Sequence, residues 1–102
     1  MITTHVLDTA AGRPAAGIAV RLEVHGDTGW RTIRATVTDD DGRVRDFGEP
    51  AVAGRYRLTF DTAARSAFFP EITVTFVVTD PGEHHHVPIL LSPFAFSTYR
   101  GS

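Results

Sequence analysis

Cysteine is absent from the 102 residues, and so is lysine, since all ten basic side chains are arginine. Without cysteine there is no disulfide framework, no thiolate zinc site and no thiol nucleophile. Without lysine there is no Schiff-base chemistry. An excess of one charge sign is missing as well: ten basic against twelve acidic residues leave a formal net charge of -2. Nothing in that balance drives binding to a phosphate backbone or to anionic lipid, so neither nucleic acid nor a membrane is expected as a partner. No stretch approaches the ~18 apolar residues of a membrane span. The first residues show neither the basic region nor the apolar run of a signal peptide. The expected compartment is the cytoplasm, or the periplasm or an organelle if a leader has been removed.

What is present suits one small globular core. The hydrophobic content is 42% and the charged content 22%, enough apolar material for burial and too little charge for a disordered chain. A mass of 11.1 kDa predicts a single domain over residues 1–102.

Period-two alternation dominates the chain. In IAVRLEVH at 18–25, Ile18, Val20, Leu22 and Val24 fall on one face, the pattern of a half-buried strand. The pattern returns at 55–61 through Tyr56, Leu58 and Phe60, and at 71–79 through Ile72, Val74, Phe76 and Val78. Weaker strands are expected at 2–8, 30–38 and 43–47, and two more at 86–91 and 95–100, about eight in all. Turn residues separate them: AAGRPAAG at 10–17, HGDTG at 25–29, DDDG at 39–42, GEPAVAG at 48–54 and DPGE at 80–83. Such regular punctuation points to a β-sandwich. Only TAARSAFF at 62–69 lacks alternation, and a helical turn or two is expected there before Pro70.

Histidines stand at 5, 25, 84, 85 and 86. On an extended chain His84 and His86 point to the same side, which offers a metal two ligands, but no third is evident nearby. Such a cluster after a PGE turn also fits a solvated hairpin end. In HVPILL, the residues Val87, Ile89 and Leu91 face one way and His86, Pro88 and Leu90 the other, so His86 is expected off the main core face. None of Ser66, Ser92 and Ser97 lies in a G-x-S-x-G context, so there is no sign of a serine triad. The three aspartates 39–41 before Gly42 read as a turn whose side chains bond its own backbone.

Several segments together resemble one family. THVLD at 4–8, GRPA at 12–15, TDDDGR at 38–43, the G-x-Y-x-L pattern at 54–58, FFPEITVTF at 68–76 and above all HVPILLSPFAFSTYRGS at 86–102 are similar to the 5-hydroxyisourate hydrolases, the transthyretin-related enzymes of urate breakdown. The resemblance implies an all-β, transthyretin-like (prealbumin-like) sandwich of two four-stranded sheets with one short helix. It implies a homotetramer, a dimer of dimers, with sites in a channel where dimers meet. It also implies hydrolytic opening of the lactam ring of 5-hydroxyisourate to a ureidoimidazoline carboxylate, without metal or organic cofactor.

The matching positions are His5, Arg43, His86 and Ser102 as catalytic residues, with Tyr99, Arg100 and Gly101 joining His5 and Arg43 in substrate binding. Histidine supplies a base near pH 7, and the planar fork of arginine suits carbonyl oxygens and a developing oxyanion. Two features depart from the family pattern: His85 stands where an aromatic is common, and FAF at 94–96 replaces a glycine-aromatic pair. Two other functions fit the fold alone, a small-ligand carrier of the transthyretin kind and a structural sandwich module. The first lacks the YRGS ending, and the second gives no reason for HVLD, HVP and YRGS to occur together.

Overall fold

A computed structural model describes all residues, 1–102. Nine strands run in chain order: β1 (Ile2–Asp8), β2 (Arg13–Pro14), β3 (Ala19–Gly26), β4 (Gly29–Val37), β5 (Arg43–Val44), β6 (Gly54–Asp61), β7 (Glu71–Val78), β8 (His85–Ser92) and β9 (Ala95–Thr98). One sheet has the order β4-β3-β6-β7; the other has the order β2-β1-β8-β9, with β5 also pairing β1. The expected sandwich is thus present, with one sheet of four strands and one of five. The fifth arises because two-residue strands share one edge of β1: β2 pairs Leu7 and Asp8, while β5 pairs Thr4 and His5.

The alternating residues form the core. Ile2 and Val6 of β1, Val20 and Leu22 of β3, Leu58 and Phe60 of β6, Ile72 of β7, and Ile89 and Leu91 of β8 are almost wholly buried in one cluster. Burial of such side chains contributes about 1.5–3 kcal/mol each and sets which face of each strand turns inward. β4 departs from the pattern. Most of its residues are exposed, and at this sheet edge Arg31 and Arg34 discourage pairing with another chain.

No helix forms between β6 and β7, contrary to expectation. The Thr62 carbonyl accepts from the backbone N–H groups of Arg65 and Ser66, a single turn. The polar side chains then bond elsewhere: the Thr62 hydroxyl donates to the Phe69 carbonyl, and the Ser66 hydroxyl donates to the Pro93 carbonyl while accepting from the Phe69 N–H. Serine and threonine that bond backbone groups outside the helical ladder oppose its continuation.

Glycine is required at the turn into β5. Gly42 has a φ of 74°, and a Cβ there would lie 2.4 Å from the Val6 carbonyl oxygen. That close approach lets the Gly42 carbonyl accept from Val6 N at 2.7 Å, which pulls the aspartate turn against β1. Asp39 braces the same turn, its Oδ1 accepting from the N–H groups of Asp41 and Arg43 at 2.9 Å each. The Arg43 N–H is the leading cause of an Asp39 carboxyl held below its ordinary value. Asp39 therefore serves the backbone of its own turn, as expected, whereas the Asp41 carboxylate pairs with Arg45.

Candidate active site

Strand register assembles the site. β1 and β8 are parallel, with Ile2 opposite His85, Thr3 opposite His86 and His5 opposite Pro88. Because parity alternates, Ile2, Thr4 and Val6 turn inward with His85, Val87 and Ile89, while Thr3 and His5 turn outward with His86. On the other edge of β1, β5 sets Arg43 opposite His5, so the guanidinium shares that outer face. Beyond β9 the chain returns: Gly101 N donates to the His86 carbonyl at 2.8 Å, closing an antiparallel bridge. A Cβ on Gly101 would stand 2.5 Å from Cδ2 of His86, so only glycine lets the tail lie this close to the ring.

Of these outward groups Thr3, Arg43 and His86 line a polar recess of about 220 Å³, with Arg45, His84 and Ser102 also in its walls, whereas His5 stands outside that lining. Within it the Thr3 hydroxyl bridges two imidazoles, 2.7 Å from Nδ1 of His86 and 2.8 Å from Nε2 of His84. The pair of histidines that could have served as metal ligands is thus joined through a hydroxyl. No group of three or more His, Cys, Asp or Glu side chains converges around them. His86 Nε2 makes no hydrogen bond within the chain. His5 donates from Nε2 to the Asp41 carbonyl at 2.8 Å, so in the neutral ring Nδ1 carries the lone pair.

Electrostatics separate Arg43 from its neighbours. Arg45 takes both nearby carboxylates, Asp39 at 3.3 Å and Asp41 at 2.9 Å. The Arg43 guanidinium has no ion pair and no side-chain hydrogen bond, so it is not an ordinary surface salt bridge. Its fork of donors remains free for an oxygen-rich ligand. Desolvation of the His86 ring, followed by the positive charge of Arg43 and by His84 and His5, holds His86 below its ordinary value of 6.5. It is therefore chiefly neutral at pH 7.

The remaining predicted residues have other surroundings. Tyr99 lines a second, apolar cavity of about 200 Å³ with Val74, Phe76, His85 and Val87, and His86 is the wall common to both cavities. Arg100 lines the apolar cavity too, and it donates to Glu83 at 2.9 Å and to the His84 carbonyl at 3.3 Å. His85 faces the core, 5% exposed, and its buried Nδ1 has no hydrogen-bond partner. His25 belongs to the other sheet, where it meets Trp30 edge to face. Sequence reasoning did not single out Thr3. Its only signal was a position two residues before His5, on the same side of the strand.

A two-sheet sandwich that keeps aliphatic residues inside and sets histidine, arginine and the C-terminal tail on an outer sheet face is a transthyretin-like fold bearing a polar surface site. Comparison with known proteins agrees: residues 2–101 match the model of the HIUase/Transthyretin family, and the chain belongs to that family. It is similar to the 5-hydroxyisourate hydrolases of Salmonella typhimurium, 41% identical over all of this chain and 81% of the relative, and of Deinococcus radiodurans, 42% identical over 99% of this chain and 95% of the relative. It is 47% identical to the uric acid degradation bifunctional protein of Arabidopsis thaliana, of which it spans 37%. Among solved structures, the 5-hydroxyisourate hydrolase of Klebsiella pneumoniae superimposes with a TM-score of 0.84 at 39% identity, covering 99% of this chain and 98% of that one. Sea bream transthyretin in complex with thyroxine superimposes with a TM-score of 0.88 at 28% identity, covering 98% and 93%.

Proposed function

We propose that this protein hydrolyses 5-hydroxyisourate, opening its lactam ring, as an enzyme of urate degradation. The observation that carries the reading is the unpaired Arg43 guanidinium on the same outer face as a neutral His86, beside a recess that Ser102 also lines. Relatives that share the fold and about 40% of the sequence bear that activity in their names.

The residues divide the reaction as follows. Arg43 holds carbonyl oxygens of the substrate and receives the negative charge that develops on the attacked carbonyl. His86 accepts a proton at Nε2 from water, whose oxygen bonds to the carbonyl carbon. His5, its Nε2–H committed to the Asp41 carbonyl, accepts a hydrogen bond at Nδ1 from the water or the substrate. The tetrahedral adduct collapses with cleavage of the C–N bond, and the leaving nitrogen takes the proton held by histidine. Ser102 closes one side of the recess. Tyr99, Arg100 and Gly101 act through the course of the tail that carries it.

The working form is proposed to be a homotetramer, a dimer of dimers. In support, β7 and β9 are both unpaired sheet edges. Near them lie exposed apolar side chains, among them Val77, Phe94 and Tyr99, which a partner would cover.

The test is to generate 5-hydroxyisourate in situ from urate with urate oxidase and to follow its ultraviolet absorbance. Decay accelerated by the protein, retained after chelator treatment, is the expected result. Decay at the spontaneous rate in the presence of folded protein overturns the reading and leaves the recess as a site for ligand binding.

A further inference from the structure

The Thr3 hydroxyl sits between two imidazoles with one hydrogen to give. It can donate to His84 Nε2, in which case His86 donates to it from Nδ1–H and keeps a lone pair on Nε2. It can instead donate to His86 Nδ1, in which case His84 donates from Nε2–H and His86 carries its proton on Nε2. The first arrangement makes His86 a base at its free nitrogen, and the second makes it an acid there. One hydroxyl rotation therefore accompanies exchange between the two forms a hydrolase requires in succession. His86 is partly buried, whereas His84 is exposed to solvent. The charged and titratable groups around them are Arg43 and Arg45 from the β5 segment, His5 from β1, the amino group of Met1 and, beside His84, Arg100 of the tail in its ion pair with Glu83. A proton on His86 therefore adds positive charge next to Arg43, and a proton on His84 places that charge in water.

We propose that Thr3 and His84 form a proton relay that sets the tautomer of His86 and shares its positive charge with solvent. The inference rests on the hydrolase reading for its catalytic consequence but not for its existence. In the relay, a proton arriving at His86 Nε2 displaces the Nδ1 proton to the Thr3 oxygen, and the hydroxyl proton passes to His84 Nε2. His86 is left neutral with Nε2–H, and the exposed His84 becomes the cation. When the leaving nitrogen takes the Nε2 proton, the transfers reverse and His86 regains its proton on Nδ1. Lactam and water become a ureido NH2 and a carboxylic acid without net change in the relay. The acid then loses a proton at neutral pH, and that proton reaches bulk water through the exposed ring. Thr3 and His84 are positioning residues, acting through His86.

The experiment uses the full chain and the variants Thr3→Val, Thr3→Ser and His84→Gln, with His85→Phe as a neighbouring control. Thr3→Val is expected to lower kcat by about 10–100-fold with KM little changed, the range of a lost proton-transfer partner. Thr3→Ser restores the hydroxyl and should return kcat to within about 3-fold of wild type. The double variant Thr3→Val/His84→Gln should be no worse than Thr3→Val alone, since the two belong to one chain of transfers. Ring-nitrogen NMR without substrate reads the relay directly: the tautomer of neutral His86 should respond to protonation of His84 in the wild type and in Thr3→Ser, and should cease to respond in Thr3→Val, where only the through-space charge coupling of the two rings remains. Wild-type kcat in a folded Thr3→Val protein, or a His86 tautomer response that Thr3→Val leaves unchanged, would overturn the proposal. If the wild type hydrolyses nothing yet the tautomer response is present and is lost in Thr3→Val, the relay stands and the function reading falls.

Discussion

At the scale of single residues, the unpaired state of Arg43 has a measurable signature. An arginine that makes no ion pair in the fold contributes little to stability, so Arg43→Ala should leave Tm within about 2 °C while lowering turnover by at least about 100-fold, as expected for loss of an oxyanion partner. His86→Ala should reduce turnover comparably. Because the fold lowers the His86 pKa below 6.5, the neutral base persists into mildly acidic solution, and kcat/KM should fall only below pH 6.5. The same depression has a stability consequence. The unfolded chain takes up this proton first, so stability is unaffected above about pH 6.5 and is lost as pH falls from there through the folded pKa, a change that His86→Ala should remove from a denaturation series. His85 behaves differently. Its buried Nδ1 is unsatisfied, and an unmet polar atom costs about 1–3 kcal/mol, so His85→Phe should raise Tm and leave the pH-rate profile in place. A shifted profile in that variant would show that the inward ring influences the outward one.

At the scale of elements, the prediction concerns the C-terminal tail. Its backbone is held to β8 through one bond, Gly101 N to the His86 carbonyl, so deleting residues 99–102 should abolish activity while circular dichroism and Tm remain close to wild type. Gly101→Ala is the milder form of that experiment: the added methyl collides with the His86 ring and should cut turnover by roughly tenfold without unfolding the protein. The elements also show what could be read beforehand and why. β3, β6 and β7 were evident because each buries one face in the core, which imprints period two on the sequence. β2 has no signature in the sequence and the pattern at 43–47 predicts a longer β5, because two residues have no period and the partner edge of β1 alone makes them strands. The lack of alternation at 62–69 before Pro70 predicts a helical turn or two, and the bonding of the Thr62 and Ser66 hydroxyls to the Phe69 and Pro93 carbonyls limits the segment to a single turn. In the site, His86 is legible from strand parity, and both His5 and His86 from the family pattern. The bond between Thr3 and His86 is not, since it joins residues separated by 83 positions, and only the parallel β1·β8 register makes them neighbours.

At the scale of the whole molecule, the proposed assembly would use the edges left open. β4 ends one sheet with arginines, whereas β7 and β9 are unpaired edges near exposed apolar side chains, Phe94 among them at 77% exposure. Sedimentation at micromolar concentration should therefore give a tetramer, and Val77→Arg, which places a charge on the β7 edge, should shift it toward smaller species. A wild-type monomer at that concentration would contradict the proposed assembly. The outward placement of the histidines carries a wider consequence. Where β1 meets β8, the inward pleat packs Ile2, Val6, Val87 and Ile89 while the outward pleat sets out Thr3, His5 and His86, so this part of the ribbon is written in two alphabets. Letters such as His5 can be exchanged in the outer alphabet without disturbing Ile2, Val6 or Ile89 beneath. A lineage built on this ribbon can trade one surface chemistry for another through intermediates that all remain folded.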